Sequence, residues 1–273
     1  MTTREIDTGT RQLLCSVSDG VAVITLNHPD ARNALSPDLT PALRRMIKER
    51  GDDPEVGALL ITGAGTAFCS GGDLKGMGDK RSNLDMSLEE RIADLRLRQR
   101  LLVGALTGVR KPTIAALPGA AAGAGLALAL ACDIRIAAES AFIATGYARV
   151  GLPGDYGIAW LMTRTVGPAR ARELMFTGER IDAARAERIG MFNRVVPDAA
   201  LMEEAFALAK SLADGPRLAL AAIKDNLDEA PRIDFSEALD READRMVRAS
   251  TTDDHKEAVR AFMEKRKPKF TGT

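Results

Sequence analysis

From Pro112 to Cys132 the chain runs for 21 residues without one charged side chain. A run of that length either crosses a bilayer or lies wholly inside a folded core. Pro118-Gly119 interrupts it, and much of it is Ala and Gly rather than Leu or Ile. The stretch therefore reads as a buried strand leading into a buried helix, not as a membrane span. The N-terminal segment MTTREIDTGTRQ is polar, carries Glu5 and Asp7, and lacks the apolar region of a secretory signal.

Composition narrows the function classes. With 273 residues the chain is long enough for a full core and one or two domains. Its 38 Lys and Arg balance 38 Asp and Glu, so the basic surplus of a nucleic-acid protein is missing. At 4% aromatic content, stacking platforms for single strands are not expected either. Cys15, Cys69 and Cys132 are odd in number, far apart and free of CxxC pairing. That argues against a disulfide scaffold or a thiolate metal site, and it fits a reducing compartment. The expectation is a cytoplasmic globular protein with no nucleic-acid or membrane partner and no metal.

Strand and helix patterns alternate for about 200 residues. Val21–Leu26 alternates β-formers and stops at Asn27-His28-Pro29. Ser36-Pro37-Asp38 reads as a helix start, with Leu39, Leu43, Met46 and Ile47 at helical spacing. Residues 58–62 form an apolar run expected to be buried on both faces. Residues 88–107 predict one long helix with a stripe of Leu88, Ile92, Leu95, Leu102 and Leu106. Further strands are expected at 113–117, 134–137 and 193–196. Beyond Pro197 only helices are predicted, at 198–213, 216–227, 234–250 and 253–267. The pattern is that of an α/β core with a helical C-terminal part.

Common catalytic signatures are missing. Gly63-Ala64-Gly65 would need glycine at position 68 for a dinucleotide loop, and Phe68 stands there. There is no phosphate-binding GxxxxGK[ST] and no GxSxG elbow. His28 and His255 have no persuasive triad or metal partner, and both read as solvated. Two Gly-rich segments remain, each after a buried strand: Ala67–Lys75 and Leu117–Leu126. Each alone is satisfied by a tight turn. Together, their backbone N–H groups are of the kind that form an oxyanion hole.

The residues of these segments resemble the enoyl-CoA hydratase/isomerase, or crotonase, family. The likeness runs through Val23–Pro29 with Asn33-Ala34-Leu35, Phe68–Lys75, Gly119–Asp133, Gly167–Leu174, Asn193–Pro197 and Phe262–Arg266, in that order. It implies a spiral of ββα units over residues 1–200 as the acyl-CoA-binding core. Residues 201–273 would be a helical region for trimerisation and CoA contact, in a homotrimer or homohexamer. It also implies acyl-CoA thioester substrates, with coenzyme A carried on the substrate and no separate cofactor. Carried over by position, the oxyanion donors are the N–H groups of Gly72 and Ala124. Asp73, Leu74 and Lys75 would line the CoA segment, and Phe262 and Lys265 would touch the nucleotide. For Phe262 the alternative is core packing, and for Lys265 a solvated helix end. Met77 and residues 79–83 look like a loop bordering the acyl pocket, gating it or simply solvated.

The chain departs from the family pattern at the two glutamates of its hydratases. Those positions are Ala127 and Tyr147 here, so the two-carboxylate addition of water lacks both of its carboxylates at these positions. Tyr147 would be a substrate donor, a supporting polar group or a space-filler. One carboxylate stands in a loop where some isomerases of the family keep theirs: Asp155, in Gly151–Gly157. It serves as the proton shuttle, with Trp160 and its apolar neighbours raising its pKa, or it caps the helix that follows. The favoured function is enoyl-CoA isomerisation (or hydration) through a thioester enolate. The alternatives are a non-catalytic acyl-CoA binder and an acyl-CoA thioester hydrolase.

Overall fold

The computed structural model describes residues 3–72 and 86–273. Its larger sheet contains β1 (Arg4–Ile6), β2 (Leu13–Ser18), β3 (Val21–Leu26), β4 (Ala58–Gly63), β6 (Thr113–Leu117), β8 (Ile134–Ala138) and β11 (Arg194–Val196), in the order β1-β2-β3-β4-β6-β8-β11. The pairs β1/β2 and β2/β3 are antiparallel, and every later pair is parallel. A smaller sheet contains β5 (Ala67–Cys69), β7 (Ala120–Ala122), β9 (Phe142–Ala144) and β10 (Arg180–Asp182), ordered β10-β9-β7-β5. The strand pairs β4/β5, β6/β7 and β8/β9 each place their first member in the larger sheet and their second in the smaller. Helical chain then carries the path to the next pair. This is the expected ββα progression.

Local sequence accounts for these elements. In β2, Leu13, Cys15 and Val17 point into the core and Leu14, Ser16 and Ser18 point away, the period-two pattern of a strand with one covered face. The hairpin to β3 turns on Asp19-Gly20, both with positive φ, as a two-residue turn between twisted strands requires. β4 is buried at every residue, as its apolar run predicts. Helix α1 (Leu39–Asp52) buries Leu39, Leu43, Met46 and Ile47, and Ser36 Oγ accepts from the Leu39 N–H at 3.0 Å.

Residues 88–107 are not one regular helix. Helix α2 (Leu88–Gln99) passes into a π-turn at Arg100–Gly104 and then into α3 (Ala105–Gly108). The wider turn changes the phase of the apolar positions. Leu102 and Leu106 are buried, whereas Leu88 and Leu95 are 67% and 40% exposed. The buried helix expected after Pro118-Gly119 is α4 (Ala124–Leu130), every residue of which is buried. Helix α5 (Ile158–Thr177) bends at Gly167-Pro168, and α6 (Ala183–Arg188) follows.

Helix α7 (Leu201–Ala213) lies against β4 and β6 through Leu201, Ala205, Ala209 and Ala213, spaced four apart on one face. Next come α8 (Arg217–Glu229), α9 (Phe235–Ser250) and α10 (Asp253–Met263). The last helix ends earlier than the predicted 267, because Lys265 takes a left-handed backbone, φ 53. Among the described residues, no helix is long and apolar enough to cross a membrane. The cysteines are free and buried, and burial pushes the thiols of Cys69 and Cys132 up to about 12. His255 is exposed, but His28 is half-buried, with its Nδ1 enclosed and in no hydrogen bond. Its solvated reading is corrected accordingly.

Candidate active site

Four sequence-predicted residues, Gly72, Ala124, Tyr147 and Asp155, converge where β5, β7 and the start of α4 meet. β5 and β7 are parallel neighbours, pairing Ala67 with Ala120 and Cys69 with Ala121. Both strands run towards the same end, so the loops that follow them emerge side by side. A Cβ built on Gly71, which has φ +93, would lie 2.7 Å from Ala122 O and 3.3 Å from Ala124 N. The backbone around Gly72 therefore borders the first N–H of α4, and a side chain at position 71 would separate them.

Among the described residues, neither proposed donor N–H has a hydrogen-bond acceptor. Leu35 pairs with Gly72, and the Leu35 N–H donates to Gly71 O at 2.8 Å. Peptide groups alternate along an extended strand, so the Gly72 N–H is turned away from Leu35. Ala124 is the first residue of α4, where an N–H has no acceptor within its own helix. The loop before β5 is braced by Asn33, fully buried, whose Nδ2 donates to Ala64 O at 3.0 Å and Ala67 O at 2.8 Å. Ser70 N–H donates in turn to Arg32 O at 3.0 Å. The segment around Asn33-Ala34-Leu35 thus fixes the first Gly-rich loop from one side.

The carboxylate arrives from another element. After β9 the chain passes Tyr147, a short 3-10 turn at Ala148–Val150, and Gly151–Gly157 before α5 begins. The Tyr147 hydroxyl donates to Asp155 Oδ1 at 2.6 Å. The same hydroxyl end lies beside the second Gly-rich loop, 3.9 Å from where a Cβ on Gly123 would stand. Burial raises the Asp155 pKa, with the hydrogen bond from Tyr147 opposing that rise. Tyr147 is 8% exposed; burial first, and then the Asp155 carboxylate, pushes its hydroxyl up and keeps it neutral.

Two readings of Asp155 are settled by this geometry. Capping is not its role: Gly157 occupies the N-cap of α5, and no side chain caps that helix. Trp160 is not its apolar cover, being 48% exposed with the Arg164 guanidinium 4.1 Å from its ring centroid. The turn is instead packed by Ile158, Met175 and Tyr147, the side chains that a Cβ on Gly154 would meet. Ala127, at the first glutamate position, is fully buried in α4 and carries no proton.

The C-terminal residues stand apart from this constellation. Phe262 is 82% exposed, so core packing does not explain it. Lys265 is exposed beyond the end of α10. Asp73, Leu74, Lys75 and Met77, with residues 79–83, lie outside the described residues. No group of three or more His, Cys, Asp or Glu among the described residues has metal-site geometry. One residue of the neighbourhood had no sequence signal at all: Gln99, whose Oε1 accepts from the Tyr156 N–H at 2.9 Å.

Known proteins share this architecture. The 1,2-epoxyphenylacetyl-CoA isomerase of Escherichia coli K12 is 37% identical over 264 residues, covering 95% of this chain and 98% of the relative. The mitochondrial enoyl-CoA hydratase of Pongo abelii is 36% identical over 251 residues, covering 92% and 83%. The crystal structure of an enoyl-CoA hydratase from Polaromonas sp. JS666 superposes with a TM-score of 0.88 at 34% identity, over 94% of this chain and 99% of that one. The family model described as enoyl-CoA hydratase/isomerase matches residues 16–273. With that match over nearly the whole chain and two-sheet geometry to accompany it, the chain belongs to the enoyl-CoA hydratase/isomerase family of enzymes.

Proposed function

We propose that this enzyme shifts the double bond of an enoyl-CoA thioester, using Asp155 as its single proton shuttle. The observation that carries the reading is the pairing of a half-buried Asp155 with the Tyr147 hydroxyl beside Gly123, together with a fully buried alanine at position 127. The thioester carbonyl accepts from the Gly72 and Ala124 N–H groups. Those donors stabilise negative charge as it builds on the carbonyl oxygen when a proton leaves the carbon framework. Asp155 takes that proton from one carbon and returns it two carbons along, so that no water is added and one carboxylate suffices. A pKa raised by burial brings the carboxylate nearer the working pH, which favours both halves of the transfer. Tyr147 orients the carboxylate and stays protonated throughout.

Coenzyme A enters and leaves as part of the substrate. The exposed Phe262 and Lys265, with Asp73, Leu74 and Lys75, are proposed to contact it. Residues 201–273 are proposed to mediate assembly into trimers or hexamers, an idea supported by exposed Leu227, Phe235, Met246 and Met263 on α8 to α10. The test is mass spectrometry of 2- and 3-enoyl-CoA thioesters incubated with the enzyme in deuterated water. Deuterium incorporation with a moved double bond is expected. A product heavier by one water would replace isomerisation by hydration, and release of free CoA would replace it by hydrolysis.

A further inference from the structure

We propose that Gln99 is a positioning residue for this reaction, holding the Asp155–Tyr156 peptide so that the carboxylate faces Tyr147. The inference rests on the role proposed for Asp155. It comes from a contact between two parts of the chain that sequence does not connect. Gln99 is the last residue of α2, at the entry to the π-turn Arg100–Gly104, and its side-chain oxygen accepts from the Tyr156 N–H at 2.9 Å. π-turns inserted in α-helices recur beside functional sites.

The peptide that Gln99 grips needs holding. Tyr156 has φ +50, a left-handed conformation unusual for a residue with an aromatic side chain, and it stands between Gly154 at φ +113 and Gly157 at φ +75. Such a conformation persists only where the surroundings enforce it. On the other side of the same peptide, Asp155 O accepts from the Ile158 N–H at 3.1 Å. The plane is therefore clamped twice, by Gln99 through its N–H and by the first residue of α5 through its C=O. That fixes the backbone from which the Asp155 side chain projects. Its carboxylate then needs only its own torsions to reach Tyr147. Without Gln99, one clamp and the flanking glycines Gly154 and Gly157 remain, and the loop is free to turn the carboxylate towards water.

The groups around Asp155 set what a loosened loop does to its titration. Tyr147 donates to it, and the adjacent Tyr156 side chain lies near Arg44 of α1 and Arg98 of α2. Burial is what raises its pKa, so greater contact with water lowers it. A base that must be ionised then works to lower pH, but from a poorer position.

The experiment compares the wild-type enzyme with Gln99→Met, Gln99→Glu and Asp155→Asn on a straight-chain 3-enoyl-CoA, recording kcat, KM and the pH profile of kcat. Gln99→Met keeps length and helix propensity but removes the acceptor. The expected result is a fall in kcat of about tenfold or more with KM within about twofold, and an acid limb moved to lower pH. Gln99→Glu restores an acceptor oxygen and should recover most of the plateau kcat. Its added negative charge should move the acid limb to higher pH. Thermal melting verifies that each variant is folded. If Gln99→Met does not fold, the limb of Gln99→Glu decides, since an unmoved limb overturns the proposal. Asp155→Asn inactive with Gln99→Met unchanged in kcat and pH profile also overturns it, leaving the role of Asp155 intact. Full turnover by Asp155→Asn overturns the role of Asp155 itself.

Discussion

Tyr147 and Asp155 are eight residues apart in the chain, and their side chains meet at 2.6 Å across the turn that opens α5. The hydroxyl donates to the carboxylate and so favours its ionised form, against a burial that favours the neutral one. Replacing Tyr147 by Phe removes the donor and leaves the burial. The Asp155 pKa should then rise further, and the acid limb of the pH-rate profile should move to higher pH. Activity near neutrality is expected to drop by about tenfold, with recovery on the alkaline side. A pH profile superimposable on the wild type would show that Tyr147 does not tune this carboxylate.

Asp155→Asn separates catalysis from stability. The amide keeps an oxygen to accept from Tyr147 but cannot carry the proton, so kcat should fall by about 10²–10⁴. Stability should move the other way. A carboxyl whose folded pKa is raised binds its proton more tightly folded than unfolded. Its ionisation therefore costs stability above the folded pKa, and that cost is absent below the unfolded value of about 3.9. The variant is expected to melt above the wild type at pH 7, with the gap closing as pH falls towards 3.9. A gap that widened on acidification would contradict the raised pKa.

Much of the frame was legible because burial and periodicity point the same way. The apolar run of β4 and the uncharged stretch through β6, β7 and α4 predicted an interior, and β4, β6 and α4 are buried at every residue. The short strands β5, β7, β9 and β10 were not foreseen: each is three residues long, too brief to show a period. The β2 hairpin was missed although Asp19-Gly20 is a strong turn signal. Gly72, Ala124, Tyr147 and Asp155 were named through family likeness, and their meeting depends on strand neighbours that only topology supplies. Gln99 had no signal because its partner is a backbone N–H 57 residues away. Trp160 misled because an aromatic next to a carboxylate in sequence points outward on its helix.

Ala124→Pro tests the proposed oxyanion donor with little disturbance to the helix. Position 124 begins α4, where proline is tolerated because the N–H there serves no intrahelical bond. The substitution removes the N–H that the proposed mechanism uses at this position. An oxyanion-hole donor accounts for about 10²–10³ in kcat, and a loss of that size is expected with a modest change in melting temperature. Wild-type turnover from a folded Ala124→Pro enzyme would remove Ala124 from the mechanism.

Gly125→Ala probes how tightly the two Gly-rich loops are pressed together. A Cβ at this position would fall 2.2 Å from Cys69 O and 2.7 Å from Cys69 Cβ. The contact is backbone, in a fully buried strand, so it cannot be relieved by turning a flexible side chain. α4 and β5 must separate instead, which also moves Ala124 relative to Gly72. Overpacking of this kind costs typically ~1–3 kcal/mol, and the upper end is expected here. Denaturant unfolding measures the loss of stability. Activity should fall further than stability alone predicts, because the two N–H groups proposed to share one substrate oxygen would be moved apart. A Gly125→Ala enzyme that was destabilised yet kept its full kcat under folding conditions would mean that the spacing of the two loops does not govern the chemistry.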